Sequence, residues 1–268
     1  MILSPYKLLD YYTEKDKDLF FGREEETRKM VGEIRFTRLL VLFSPPGSGK
    51  TSLINAGVRP YLEEEMGYQT IYTRLEAEPI PSVCRVVAKA LELPECEEKE
   101  ELYDYLKRAA QQAGKPLVIF LDQFEEFFII YKDQKELRQR FIQQVAHIKY
   151  DDELPVFLVL SIQEDYFARL HEFREAIPSI FHSNANTRLE PFTEKAAYLA
   201  IVEPLKTVGW SIEDGLTKAI IKDLKNEDGI EPRAIQLVCH TLWAHRPDTK
   251  KKRFLTPFIK IAVGQKRF

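Results

Sequence analysis

The chain has 268 residues, 44% of them hydrophobic and 30% charged, ordinary values for a globular protein able to bury a sizeable core. A net charge of −3 argues against a general nucleic-acid or membrane surface, and no apolar run is long enough to span a bilayer. The three cysteines, Cys84, Cys96 and Cys239, are odd in number and far apart. They read as packed thiols of a reducing compartment rather than a disulfide framework or zinc site, and with no basic-then-apolar leader pattern in the sequence a cytoplasmic location is expected.

Residues 1–35 form an N-terminal segment. It runs through Phe20-Phe21-Gly22-Arg23-Glu24 into a charged helix expected at 24–35. The aromatics read equally as anchors on a core or as the apolar wall of an adenine pocket with Arg23 beside it. The segment Leu39 to Phe43 is an unbroken apolar run, the mark of a buried strand. It ends in Ser44-Pro45-Pro46-Gly47-Ser48-Gly49-Lys50-Thr51-Ser52, a phosphate-binding loop followed by a helix expected at 50–65. Glycines at 47 and 49 allow backbone conformations that turn successive N–H groups inward as an oxyanion nest. Pro46 to Ser52 are the predicted phosphate contacts. Lys50 supplies a mobile ammonium to the β- and γ-phosphates, and the Thr51 hydroxyl is placed to ligate Mg²⁺. The consensus first glycine is replaced by Ser44, a small residue that can take most conformations needed there.

Tyr68–Leu75 alternates and is β-branched, so it reads as a second strand. Pro79 and Pro81 are expected to break the chain before a helix at Val83–Leu91, and the acidic run Glu92–Glu101 reads as a solvated face. The next apolar run, Leu117 to Leu121, delivers Asp122 at its carboxyl end, with Glu125 and Glu126 following. A lone buried carboxylate is costly, and a magnesium ion beside a triphosphate compensates it. Asp122 is therefore assigned to the metal through a water, Glu125 to polarising the attacking water, and Glu126 as second candidate for that role. A helix at Glu136–Lys149 precedes another buried strand ending at Gln163, which either senses the nucleotide or caps the strand. A helix at Asp165–Glu175 and a short strand at Asn186–Glu190 complete the alternation. Strands alternating with helices predict an α/β fold, a doubly wound, parallel, five-stranded sheet of P-loop NTPase type spanning 36–192, with ligands at the strand carboxyl ends.

From Thr193 to 248 three helices are expected with no strand between them, at Glu194–Lys206, Leu216–Asn226 and Arg233–His245, forming a C-terminal helical lid. Residues 249–268 carry seven basic and no acidic residues. This tail reads either as a phosphate-tracking arm or as the start of a further domain.

In order, Phe20-Phe21-Gly22-Arg23-Glu24, the P-loop, Leu121-Asp122-Gln123-Phe124-Glu125-Glu126, Ser161-Ile162-Gln163, Arg188-Leu189-Glu190-Pro191 and Ile230-Glu231-Pro232 resemble the motifs of STAND-class signalling ATPases. The likeness is closest to the novel STAND NTPases, relatives of NACHT and AAA+ modules. It implies a switch in which ADP holds a closed form and ATP opens it. Open protomers would form homo-oligomers that activate an effector, commonly in antiviral defence. It also implies that Phe21, Gly22 and Arg23 approach adenine, and that Pro232 covers the base from the lid. Gln163 stands where the family usually carries arginine, which implies slower hydrolysis or weaker sensing of the γ-phosphate. The family's sensor repeats and effector do not follow within the sequence, so these partners are expected elsewhere. Arg169, Arg174 and Arg188 are the available arginine-finger candidates. Alternative readings are a catalytically weak, nucleotide-bound scaffold, or a DNA-associated AAA+-like ATPase using the basic tail.

Overall fold

The computed structural model describes residues 4–75, 78–97, 100–246 and 252–255. These residues form two compact units. One, the sheet unit, comprises Thr27–Pro46 and Val58–Leu189; the other, the loop unit, is drawn from residues up to 26, from Gly47–Gly57, and from Glu190 onward.

The sheet unit contains β1 (Leu39–Ser44), β2 (Gln69–Thr73), β3 (Leu117–Leu121), β4 (Val156–Gln163) and β5 (Asn186–Arg188) in the order β2-β3-β4-β1-β5. All four pairings are parallel. All five residues of β3 are buried, the pattern of a strand covered on both faces, and its apolar run could have no other use in a sheet of this kind. In β1 and β4 the register sets Ser44 opposite Gln163, so two motif strands end level with one another. Helix α1 (Glu24–Thr37) buries Thr27, Met30, Val31, Ile34 and Thr37, a stripe at helical spacing, while its three N-terminal glutamates favour the positive end of the helix.

The chain leaves β1 through α2 (Lys50–Ser52), a π-helical turn (Leu53–Val58) and α3 (Arg59–Glu64). The sequence predicts one regular helix here. Pro60 has no N–H to donate, and its ring crowds the carbonyl four residues earlier, so the helix widens just ahead of it. Helix α4 (Pro79–Leu91) also departs from expectation. Pro79 and Pro81 stand in its first turn rather than ahead of it, where missing N–H groups cost nothing because those donors have no intrahelical acceptor. Helix α5 (Leu102–Ala113) closes on Gly114 in the left-handed conformation. Helix α6 (Glu125–Ile130) starts at the acidic motif itself, and α7 (Lys135–Tyr150) follows. The helix expected at Asp165–Glu175 is instead the single turn α8 (Glu164–Phe167) continued by a 3₁₀ segment, Ala168–Phe173. Leu170 and Phe173, spaced three apart, are its buried residues, a pair that three residues per turn aligns.

The loop unit holds α9 (Glu194–Thr207), α10 (Asp214–Leu224) and α11 (Pro232–Ala244). Thr193 caps α9, its hydroxyl accepting the Ala196 N–H at 3.2 Å. The expectation of no strand among these helices is corrected by β6 (Ser211–Ile212), which pairs in parallel with β7 (Arg253–Phe254). Two residues carry no strand periodicity; the pairing depends on Phe254, buried against Trp210 at 5.2 Å between ring centroids. Arg253 and Phe254 belong to the stretch read as a basic tail, whose remaining basic residues other than Lys252 lie outside the described residues.

Candidate nucleotide-binding site

In the loop unit, Gly47 to Ser52 of the phosphate loop stand together with the Phe21-Gly22-Arg23 segment and Pro232, while Ser44, Pro45 and Pro46 belong to the sheet unit. Gly47 and Gly49 have φ of +81° and +93°, and Gly49 stands at the N-cap of α2. A Cβ on Gly49 would meet nothing within 4 Å, so this glycine is required by conformation alone, as inward-turned amides demand. Gly47 is exposed, Ser48, Lys50 and Thr51 are half-buried, and Pro46 is exposed. Ser52 is buried, and its Oγ accepts the Tyr12 N–H at 3.1 Å.

Arg23 is only 3% exposed. Its guanidinium pairs with Glu26 at 2.6 Å, donates to the Ser48 carbonyl at 3.3 Å, and lies 4.2 Å over the Phe192 ring. Burial pulls its pKa down, and the negative charges of Glu26 and Glu190 act against that shift. Arginine tolerates this burial because it remains charged throughout the physiological range. Gly22, at φ +87°, brings the chain so close to α9 that a Cβ would stand 2.4 Å from the Ala196 carbonyl oxygen. Phe192 in turn exchanges backbone hydrogen bonds with Ile230, at 2.8 and 3.1 Å, which fixes the turn leading into Pro232 at the start of α11. Gln236 of α11 accepts from the Lys7 amide at 3.0 Å and the Tyr12 hydroxyl at 2.9 Å. Gln236 belongs to the Gln236-Leu237-Val238-Cys239 stretch that resembles the family, but nothing in the sequence signals Tyr12, 224 residues away, as its partner.

The sheet unit carries the acidic end. Ser44, where a glycine was the consensus, is fully buried as the last residue of β1 and has no positive φ, so the position demands small size and not glycine's freedom. Asp122 follows β3, is 2% exposed, and accepts the Tyr72 hydroxyl at 2.8 Å. Burial, and next the Asp122 charge, push the Tyr72 hydroxyl well above its usual range, so it stays a donor. Gln123 takes φ +54°, an uncommon conformation outside glycine that turns the chain sharply after the aspartate. Phe124 then plugs into a cluster with Phe127, Phe128, Phe141 and Phe173, at 5.0 to 6.4 Å. This packing places Glu125 at the first turn of α6, where it is 5% exposed and its Oε2 accepts the Gln163 N–H at 3.0 Å. Its other carboxylate oxygen has no protein partner among the described residues. Glu126 is half-buried, as is Gln163. Of the arginine-finger candidates, Arg188 pairs with Glu164 through Nε and Nη2 at 2.9 and 3.1 Å, while Arg169 and Arg174 are exposed.

The model of the novel STAND NTPase 1 family matches residues 5–257. The chain belongs to that family. It is thus a nucleotide-binding P-loop NTPase of STAND type, and its sheet order is that of AAA+-like P-loop ATPases. Among solved structures, a Walker-type ATPase of Pyrococcus abyssi superposes at TM-score 0.58 and 15% identity, covering 90% of this chain and 72% of that one. The ORC2 protein of Aeropyrum pernix, solved as ADPNP–ADP complexes, gives 0.59 at 16% identity, covering 91% and 67%. Domain III of the replication initiator DnaA of Thermotoga maritima gives 0.57 at 13% identity, covering 95% and 96%. These likenesses show the fold. No curated protein matches the sequence. Among the described residues no helix is long and apolar enough to cross a membrane.

Proposed function

We propose that this member of the novel STAND NTPase 1 family binds ATP and ADP and hydrolyses ATP slowly, as a nucleotide switch in a cytoplasmic signalling or defence system. The observation that carries the reading is the phosphate loop itself. Two glycines hold the left-handed conformation, and a buried arginine is hydrogen-bonded to the loop carbonyl at Ser48. In this reading Pro46 to Ser52 surround the phosphates, the Ser52 hydroxyl accepting the Tyr12 N–H and keeping its own proton to donate. Lys50 neutralises phosphate charge. Phe21, Gly22 and Pro232 flank the base, and Arg23 acts from beneath the loop.

The implied metal fits the donors present. A hydroxyl at Thr51 and a carboxylate at Asp122, the latter through a water, are hard oxygens of the kind magnesium takes, and phosphate oxygens and waters would fill the remaining positions. Bound magnesium would neutralise charge developing on the phosphoryl oxygens. Glu125, anchored by one oxygen on the Gln163 amide, keeps a second oxygen for orienting and deprotonating a water. Glu126 is the reserve candidate, and Gln163 offers a neutral donor. We further assign residues 1–35 to an adenine-side segment, 36–192 to the NTPase core and 193–248 to a lid, with homo-oligomerisation and separate effector and sensor partners.

Phosphate release by the full chain tests the catalytic assignment. Glu125→Gln should retain ATP binding and lose turnover by about a hundredfold or more, the size expected of a general base. Turnover unchanged in the Glu125→Gln, Glu126→Gln double variant would remove both residues from the role.

A further inference from the structure

No motif includes the end of β2, yet this strand holds Asp122 twice. The Asp122 N–H donates to the Thr73 carbonyl at 3.0 Å, which carries the β2–β3 ladder one step past the end of β3. The Tyr72 hydroxyl donates to Asp122 Oδ2 at 2.8 Å. The register accounts for the second bond. Tyr72 stands opposite Phe120, and Asp122, the second residue after Phe120, follows on the same face of the sheet. A phenol is long enough to cover that step along the strand, whereas a serine or threonine hydroxyl at this position would fall short.

The phenol is itself held. The Arg59 guanidinium of α3 lies 6.0 Å from the centre of the Tyr72 ring, and its Nε donates to Thr70 Oγ1 at 2.9 Å, one step back on the same face of β2. Because β2 is the edge strand, Tyr72 reaches Asp122 from the side of β3 opposite β4, whose end anchors Glu125 on the Gln163 amide. The two acids are thus fixed by different strands. A carboxylate whose backbone amide and one oxygen are both tied keeps its charge, because the phenol is a neutral donor, but cannot turn freely. Restricting a carboxylate in this way is how an outer partner orients a metal ligand.

We propose that Tyr72 is a positioning residue for the magnesium site, its hydroxyl fixing the Asp122 carboxylate in the orientation that holds the metal-bound water. The proposal rests on the reading above that assigns Asp122 to magnesium. It gives β2, which carries no phosphate or catalytic residue, a part in the reaction through Asp122 alone.

Uptake of Mn²⁺ by the full chain saturated with a non-hydrolysable ATP analogue, followed by the electron paramagnetic resonance of free Mn²⁺, tests this without turnover. Tyr72→Phe should weaken Mn²⁺ by about tenfold or more, the loss expected of an outer partner to a metal ligand, while the analogue binds in EDTA as it does to the wild type. In an Asp122→Asn chain the same substitution should cost less than about twofold, whereas a tyrosine acting only on the fold would cost as much in either background. Circular dichroism checks the fold; if the phenylalanine variant is unfolded, Tyr72→Gln, a shorter donor, must show the same loss. Wild-type Mn²⁺ uptake in Tyr72→Phe, or an equal loss of analogue binding in EDTA, would overturn the assignment while leaving Asp122 at the metal. Mn²⁺ affinity unchanged in Asp122→Asn would remove Asp122 from the metal and this proposal with it.

Discussion

Gly22→Ala puts the placement of the Phe21-Gly22-Arg23 segment to the test. The added Cβ would lie 2.4 Å from the Ala196 carbonyl oxygen, 3.2 Å from its carbonyl carbon and 3.4 Å from the Ala200 Cβ. The first of these is backbone in the body of α9, so relief requires either the helix or the 22–23 turn to move. Forcing a non-glycine residue into the left-handed region costs about 1–2 kcal/mol, and overpacking against a fixed neighbour adds about 1–3 kcal/mol. A loss of about 2–5 kcal/mol is expected, readable as a lowered urea midpoint at unchanged slope. Gly32→Ala is the matched control. Gly32 is inside α1, with nothing within 4 Å of its virtual Cβ and no positive φ, so alanine there should stabilise by about 0.5–1 kcal/mol. Because Gly22 directs Arg23 to the Ser48 carbonyl, Gly22→Ala should also weaken nucleotide binding, and Gly32→Ala should not. If Gly22→Ala unfolds within about 0.5 kcal/mol of the wild type, the close approach to α9 is wrong.

Arg23→Ala removes an ion pair, a hydrogen bond to the loop and a ring contact, and should cost about 1–3 kcal/mol in stability and lower affinity for ATP and ADP alike, measured by denaturation and nucleotide titration. Equal affinity in the variant would separate Arg23 from the loop. The N-terminal segment should loosen in acid. Asp16 is raised by its partial burial, but hydrogen bonds from Lys7 and Thr13 outweigh this and hold its carboxyl below the usual range. A lowered folded value stabilises the fold fully above the ordinary aspartate range, about pH 3.9, and that share is lost as pH falls through the folded value. Proteolysis of residues 4–20 should therefore increase only below about pH 4, and Asp16→Asn should abolish the step.

The five-stranded sheet was legible because three of its strands, β1, β3 and β4, carry unbroken apolar runs and each motif sits at a strand end. The prolines of α4 were read as breakers because a proline in the first turn and one before it look alike in sequence. The β6–β7 pair was hidden by its two-residue length and by a partner more than 40 residues away in sequence. Local signals fixed the phosphate loop and Asp122. What they did not reveal were the place of Arg23 beneath the loop, with its positive-φ neighbour, and the bond of Tyr72 to Asp122. Both depend on contacts between segments distant in sequence, which no local period marks. Glu125 was recognised as functional, whereas its anchor on the Gln163 amide could be seen only once β4 and α6 were placed.

Amide hydrogen exchange of the full chain, with and without Mg·ATP, measures the central claim most directly. Protection should appear on the amides of residues 47–52 and extend to 21–23 and to 233, the first amide after Pro232, and it should vanish in Lys50→Ala. Exchange at 47–52 that is the same with and without nucleotide, or protection that persists undiminished in Lys50→Ala, would contradict the account.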